Sequence, residues 1–154
     1  MLDAEVARAI HVVAVVMWIG GVGFVTLCLL PFCRHEVAPA RAIELFEAME
    51  RRFAALARYL ILIAGGSGLW MVGRYQLWQR FGQPTYWWML AMVAVWLVFC
   101  LAVFVAEPLF LHRWFTQWAE KDPVGTLRRI WYLHVLLLTV SLITAFGAVF
   151  GVHG

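Results

Sequence analysis

The chain has 154 residues, 64% of them hydrophobic and only 14% charged, with a mean hydropathy of +0.83. That balance lies far from a soluble domain and leaves no length for one beside the apolar stretches, so one membrane domain over residues 1–154 is expected. The net charge of +3 is modest and uneven, which reports orientation in a bilayer and argues against nucleic-acid binding.

A bilayer core takes about 20 apolar residues per helix. Four runs meet that length, at about residues 6–31, 53–72, 86–111 and 130–152, and predict an all-α, four-helix transmembrane bundle. The first run holds His11, Trp18 and the glycines Gly20, Gly21 and Gly23, and closes at Pro31. No basic region precedes it and no small-residue cleavage site follows a short apolar core, so it reads as a retained span. Residues 38–58 then read as a short cytoplasmic amphipathic helix running into span two. There Leu45, Met49 and Phe53 recur at helical spacing against Glu44, Glu47, Arg51 and Arg52.

Span two carries Gly65, Gly66 and Gly68. Span three opens on Tyr86-Trp87-Trp88-Met89-Leu90-Ala91-Met92 and ends with Glu107 and Pro108. Span four carries His134 and the small-xxx-small pair Gly147 and Gly151. Pro84 and Pro123 fall in connections, where the missing donor does no harm.

Orientation follows from the basic residues. Arg8, Arg74 and Arg80 fall on the side of the N-terminus, whereas Arg34, Arg41, Arg51, Arg52, Arg58, Arg113, Lys121, Arg128 and Arg129 fall on the other. Short cytoplasmic loops hold the excess of Lys and Arg, so both termini are expected outside, on the periplasmic face. Tryptophans mark the same two interfaces: Trp70, Trp78, Trp87 and Trp88 on one, Trp114, Trp118 and Trp131 on the other.

An ionisable side chain inside a span costs about 2.5–3.5 kcal/mol or more on insertion scales, which makes His11 and His134 the first candidates for chemistry. His11 and Trp18 stand seven residues apart on one helical face, which Gly21 and Val22 continue. That face offers an imidazole, an indole and then a gap, as a flat porphyrin needs beside its axial ligand; a histidine bonded to a neighbouring helix is the plain alternative. His134 lies on a face continued by Leu138, Ser141, Ala145 and Ala148.

Depth argues against one iron held by both histidines. At 1.5 Å per residue they sit about 7 Å and about 6 Å in from opposite edges, hence roughly 15 Å apart in a core of about 30 Å. Met17, Met71, Met89 and Met92 share the outer half with His11. A His/Met set there suits haem iron, or Cu(I) through its soft sulfur. An inner site pairing His112 with His134 is the second possibility, with Glu107 nearby as a proton relay or as an ion-pair partner of Arg113. The methionines equally fill gaps in a packed core. Cys28, Cys33 and Cys100 show neither paired nor zinc-like spacing and read as small buried hydrophobes.

The segment Ile10-His11-Val12-Val13-Ala14-Val15-Val16-Met17-Trp18-Ile19-Gly20-Gly21, with Pro31 and His35-Glu36 after it, resembles the opening of the HemJ-type membrane protoporphyrinogen oxidases and of the CopD-like copper-resistance proteins. Phe46, Met49-Glu50-Arg51-Arg52 and Gly68-Leu69-Trp70 extend the resemblance over about the first half of the chain. It implies a four-helix bundle of the bacterial inner membrane holding b-type haem, with His11 as ligand. The chain departs from the HemJ pattern in span three, which lacks the histidine and lysine of that opening, and in span four, which enters through Trp131-Tyr132-Leu133-His134.

Three expectations follow. The first is a b-type haem redox protein linked to quinone or a membrane redox partner, or a divergent porphyrinogen oxidase, with His11, Trp18, Gly21, Met92, His134 and His112 as the residues to follow. The second is a copper transport or resistance protein using His11 and the outer methionines. The third is a noncatalytic subunit that packs against a larger membrane complex through its glycine faces, with a homo- or hetero-oligomer open as the assembly.

Overall fold

A computed structural model describes residues 2–153, with side chains described except at 2, 110–113, 115, 116, 152 and 153. The order is α1 (Leu2–Phe24), a π segment (Val25–Leu29), α2 (Leu30–His35), α3 (Pro39–Arg74), 3-10 turns at Leu77–Gly82 and Pro84–Tyr86, α4 (Trp87–Cys100), a second π segment (Leu101–Leu111), α5 (His112–Lys121) and α6 (Pro123–His153). No strand occurs among the described residues. Four helical stretches are long and apolar enough to cross a membrane: Asp3–His35, Pro39–Arg74, Pro84–Leu109 and Pro123–Gly151.

Each stretch runs past the apolar segment that marks it in sequence. The 36 residues of α3 span about 54 Å, well over a core of about 30 Å. The amphipathic first part and the span form one unbroken helix, which Pro39 starts at a position that needs no donor. Helix α6 starts at Pro123, seven residues before the apolar run, because Asp122 caps it: the Gly125 N–H donates to Asp122 Oδ1 at 2.9 Å. The third stretch continues through Pro108 and α5 to Lys121. The wider π turn over Leu101–Leu111 accommodates a proline whose ring and absent N–H would break an α-helical ladder.

Helix α1 packs chiefly on α3, and α4 chiefly on α6, with all four termini of α1, α3, α4 and α6 that lie near Tyr75 and Trp88 forming one end, called here the terminal end. The central core joins Ala14, Trp18 and Val22 of α1 to Ala57, Leu60, Ile61 and Ala64 of α3, closed by Phe99 and Leu138. A second core at the opposite end joins Leu30 and Cys33 to Ala42, Phe46 and Leu127. Lipid gives apolar helices no hydrophobic reason to associate, so close approach and interhelical hydrogen bonds hold them. Gly147 and Gly151 seat the rings of Trp87 and Trp88, and Gly65 seats Trp96, whose Nε1–H donates to the Ile61 carbonyl at 2.9 Å. At the opposite end Trp131 Nε1–H donates to the Thr26 carbonyl at 3.2 Å, with the Arg34 guanidinium 4.8 Å from its ring centroid. The outward faces are apolar, with Phe146 and Phe150 72% and 71% exposed, as suits contact with acyl chains.

Candidate functional site

His11 leaves α1 toward α3. Its Nδ1 lies 2.8 Å from the Ala64 carbonyl and 3.2 Å from Ser67 Oγ, and Ser67 Oγ–H itself donates to the Ile63 carbonyl at 2.6 Å. A carbonyl only accepts, so Nδ1 carries a proton, and the tautomer with this bond has its lone pair on Nε2. That nitrogen makes no hydrogen bond among the described residues. Gly68 makes room for the ring: a Cβ there would stand 3.3 Å from Cε1 and 3.5 Å from Nδ1. The α3 glycine cluster therefore admits the imidazole and the Trp96 indole.

The Trp18 and Phe99 contact gives a register between α1 and α4 from which Met92 can be placed relative to His11 by residue count. Trp18 meets Phe99 edge-on, with ring centroids 4.8 Å apart at 88°. Helices α1 and α4 run parallel, and seven residues outward from each ring are His11 and Met92, two turns away on the same faces. Both are half-buried. Met89 is buried, whereas Met17 is exposed on the lipid face.

Trp18 is 4% exposed, and its indole Nε1 has no hydrogen-bond partner among the described residues. A buried donor left unpaired is uncommon and marks this seam as polar without internal satisfaction. The gap expected beside Gly21 is not open, because the Phe53 ring packs against that glycine. Gly21 therefore serves contact between α1 and α3, and the sequence face from His11 to Gly21 splits into an imidazole site and a packed core.

His134 belongs to the other end. Its Nδ1–H donates to the Ile130 carbonyl of its own helix at 3.0 Å, and its ring meets Phe46 edge-on at 6.4 Å. The two histidines thus contact α3 eighteen positions apart, at Phe46 and Ala64, which is about 27 Å along that helix. They hold no common ion, in keeping with the depth argument. The side chain of His112 lies outside the described residues, and with it the His112 and His134 pairing.

Glu107 pairs with Arg58 of α3; the side chain of Arg113, the partner its place in sequence offers, lies outside the described residues. Their side chains are 29% and 39% exposed, respectively. The cysteines Cys28, Cys33 and Cys100 are free. Among the described residues no three His, Cys, Asp or Glu side chains gather as a metal-binding group. A donor set of one imidazole and one thioether suits a group that brings most of its own ligands, or Cu(I), which accepts few soft donors.

At the terminal end the same α1 and α3 seam opens into a cleft of about 290 Å³ lined by Ala4, Glu5, Arg8, Arg74 and Tyr75. Arg8 lies one turn from His11 on α1, and Arg74 two turns beyond Ser67 on α3.

The fold and site define an all-helical protein with four membrane-length helices and an anchored, singly satisfied histidine between two of them. No family model, curated protein or solved structure matches the chain.

Proposed function

We propose that the chain is a b-type haem redox protein of the bacterial inner membrane, in which His11 Nε2 would hold the iron, with the Met92 thioether as the candidate second ligand. The observation that carries the reading is the hydrogen bond from His11 Nδ1–H to the Ala64 carbonyl at 2.8 Å. Such a bond fixes ring orientation and tautomer and leaves Nε2 as the donor, as the outer partners of metal-bound histidines do.

The remaining residues fit this use. Ala64 and Ser67 hold the ring and Gly68 lets it approach α3; by residue count from the Trp18 and Phe99 contact, Met92 falls seven positions from Phe99 as His11 does from Trp18. Trp18 and Phe99 close the inner side of the seam and keep water out. When bound, haem supplies a one-electron iron couple, and a thioether ligand raises its potential relative to a second imidazole. The bound group would supply one-electron chemistry for exchange with a quinone or a membrane redox partner. His134, half-buried and tied to its own helix, stands apart from this centre.

A copper transport or resistance protein is the second reading. The placement of His11 and Met92 by residue count favours it, because a Cu(I) ion needs less room in a packed seam than a macrocycle does. Purified, detergent-solubilised protein separates the two. A Soret band at about one haem per chain, shifted on reduction, is the expected result. Copper at one equivalent with no Soret band overturns the haem reading, and neither metal with exogenous loading overturns both.

A further inference from the structure

The cleft at the terminal end has a use that the histidine alone does not. Arg8, Arg74 and Glu5 surround about 290 Å³ of space against Ala4 and Tyr75, a charge balance of two guanidiniums against one carboxylate. Neither arginine has an ion-pair or hydrogen-bond partner among the described residues, whereas Arg80, the other basic residue at that end, lies 4.8 Å from the Tyr86 ring centroid. Guanidinium forks match carboxylates and phosphates, and two facing one cleft form a site for an anionic oxygen group.

Position decides which anion. Arg8 stands one turn and Arg74 two turns outward of the His11 shelf, on the two helices that flank it. A ligand whose flat body lies beside His11 and whose acidic edge points toward the interface meets both guanidiniums there. We infer that Arg8 and Arg74 bind the propionate carboxylates of the haem, and so set which edge of the macrocycle faces the terminal end. This rests on the haem reading above. Glu5 on the rim limits the cleft to a net charge of one positive unit, so a group with two separated carboxylates engages the arginines better than a multiply charged compact anion does.

Both arginines are exposed, so the effect is largest at low ionic strength. The test is a titration of apoprotein in detergent with haem and with its dimethyl ester, read by the Soret band, for wild type, Arg8→Gln/Arg74→Gln and Arg8→Lys/Arg74→Lys. Wild type is expected to prefer the free acid by about tenfold or more, as charge-assisted hydrogen bonds allow. The glutamine pair is expected to lose the preference while keeping the Soret position that His11 sets, and the lysine pair to keep part of it.

Equal affinity of wild type for acid and ester, with a normal Soret band, overturns the assignment of the cleft and leaves the haem reading standing. No Soret band in wild type with either form overturns both. If the arginines serve lipid phosphate instead, the glutamine pair loses copurifying phospholipid and keeps the acid-over-ester preference, which also overturns the assignment.

Discussion

Gly68 is the position where one substitution reads the histidine shelf most sharply. Alanine would place Cβ 3.3 Å from His11 Cε1 and 3.5 Å from Nδ1, slightly inside the usual carbon separation of about 3.5–4.0 Å. The ring gives by a few tenths of an ångström, and the 2.8 Å bond to Ala64 lengthens within the range of about 2.7–3.2 Å that still counts as a hydrogen bond. Alanine also gains about 0.8–1 kcal/mol of helix propensity over glycine, so Gly68→Ala is expected near neutral. Valine adds two methyls to the same crowded space. It forces the imidazole off the carbonyl at a cost of roughly 2–4 kcal/mol from overpacking and the lost bond. Gly66, with nothing within 4 Å of a built Cβ, supplies the control. In detergent, Gly68→Val is expected to lose most of its haem-to-protein absorbance and to unfold at lower temperature than Gly66→Val by circular dichroism. Indistinguishable haem content and unfolding in the two variants would refute the idea that this glycine exists to admit the histidine.

Substitutions at three further contacts probe what holds the bundle. Trp96→Phe removes the donor to the Ile61 carbonyl and is expected to lower stability by about 0.5–1.5 kcal/mol, checked by thermal unfolding, while haem content stays unchanged. Glu107→Leu leaves the Arg58 guanidinium, 39% exposed, without its partner and is expected to cost about 0.2–1 kcal/mol. Arg58→Met/Glu107→Leu recovers most of that loss, because removing both charges removes the unpaired one; a double-mutant cycle by chemical denaturation measures it. Asp122→Ala removes the cap from α6 and is expected to cost about 1 kcal/mol, with increased hydrogen exchange confined to Gly125 and Thr126.

How far the sequence reaches can be seen residue by residue. Run length and composition suffice for four membrane-length helices, since the bilayer imposes one minimum length on all of them. Helix ends were less legible: α6 gains its first turns from the Asp122 cap and α3 merges two segments, neither of which hydropathy reports. The Arg58 and Glu107 pair joins two helices, and its register depends on packing that no local spacing encodes. A charged residue at the edge of each of two apolar runs is the signal the sequence offers.

The same limit applies at the site. His11 stood out because lipid tolerates an ionisable group poorly, but its partner is a backbone carbonyl, which every residue has. Gly21 and Gly68 look alike in sequence. One receives Phe53 and the other His11, and only the neighbouring helix distinguishes them. The π segment over Leu101–Leu111 had a single cue, Pro108.

The central claim is that His11 Nε2 is the ligand donor, and His11→Gly with added imidazole tests it most directly. The substitution leaves a hole the size of the missing ring beside Gly68, where a free imidazole can reach the same shelf. Loss of the Soret band without imidazole and its return in proportion to added imidazole is the expected result. A variant that holds full haem with its spectrum unchanged in the absence of imidazole would contradict the account.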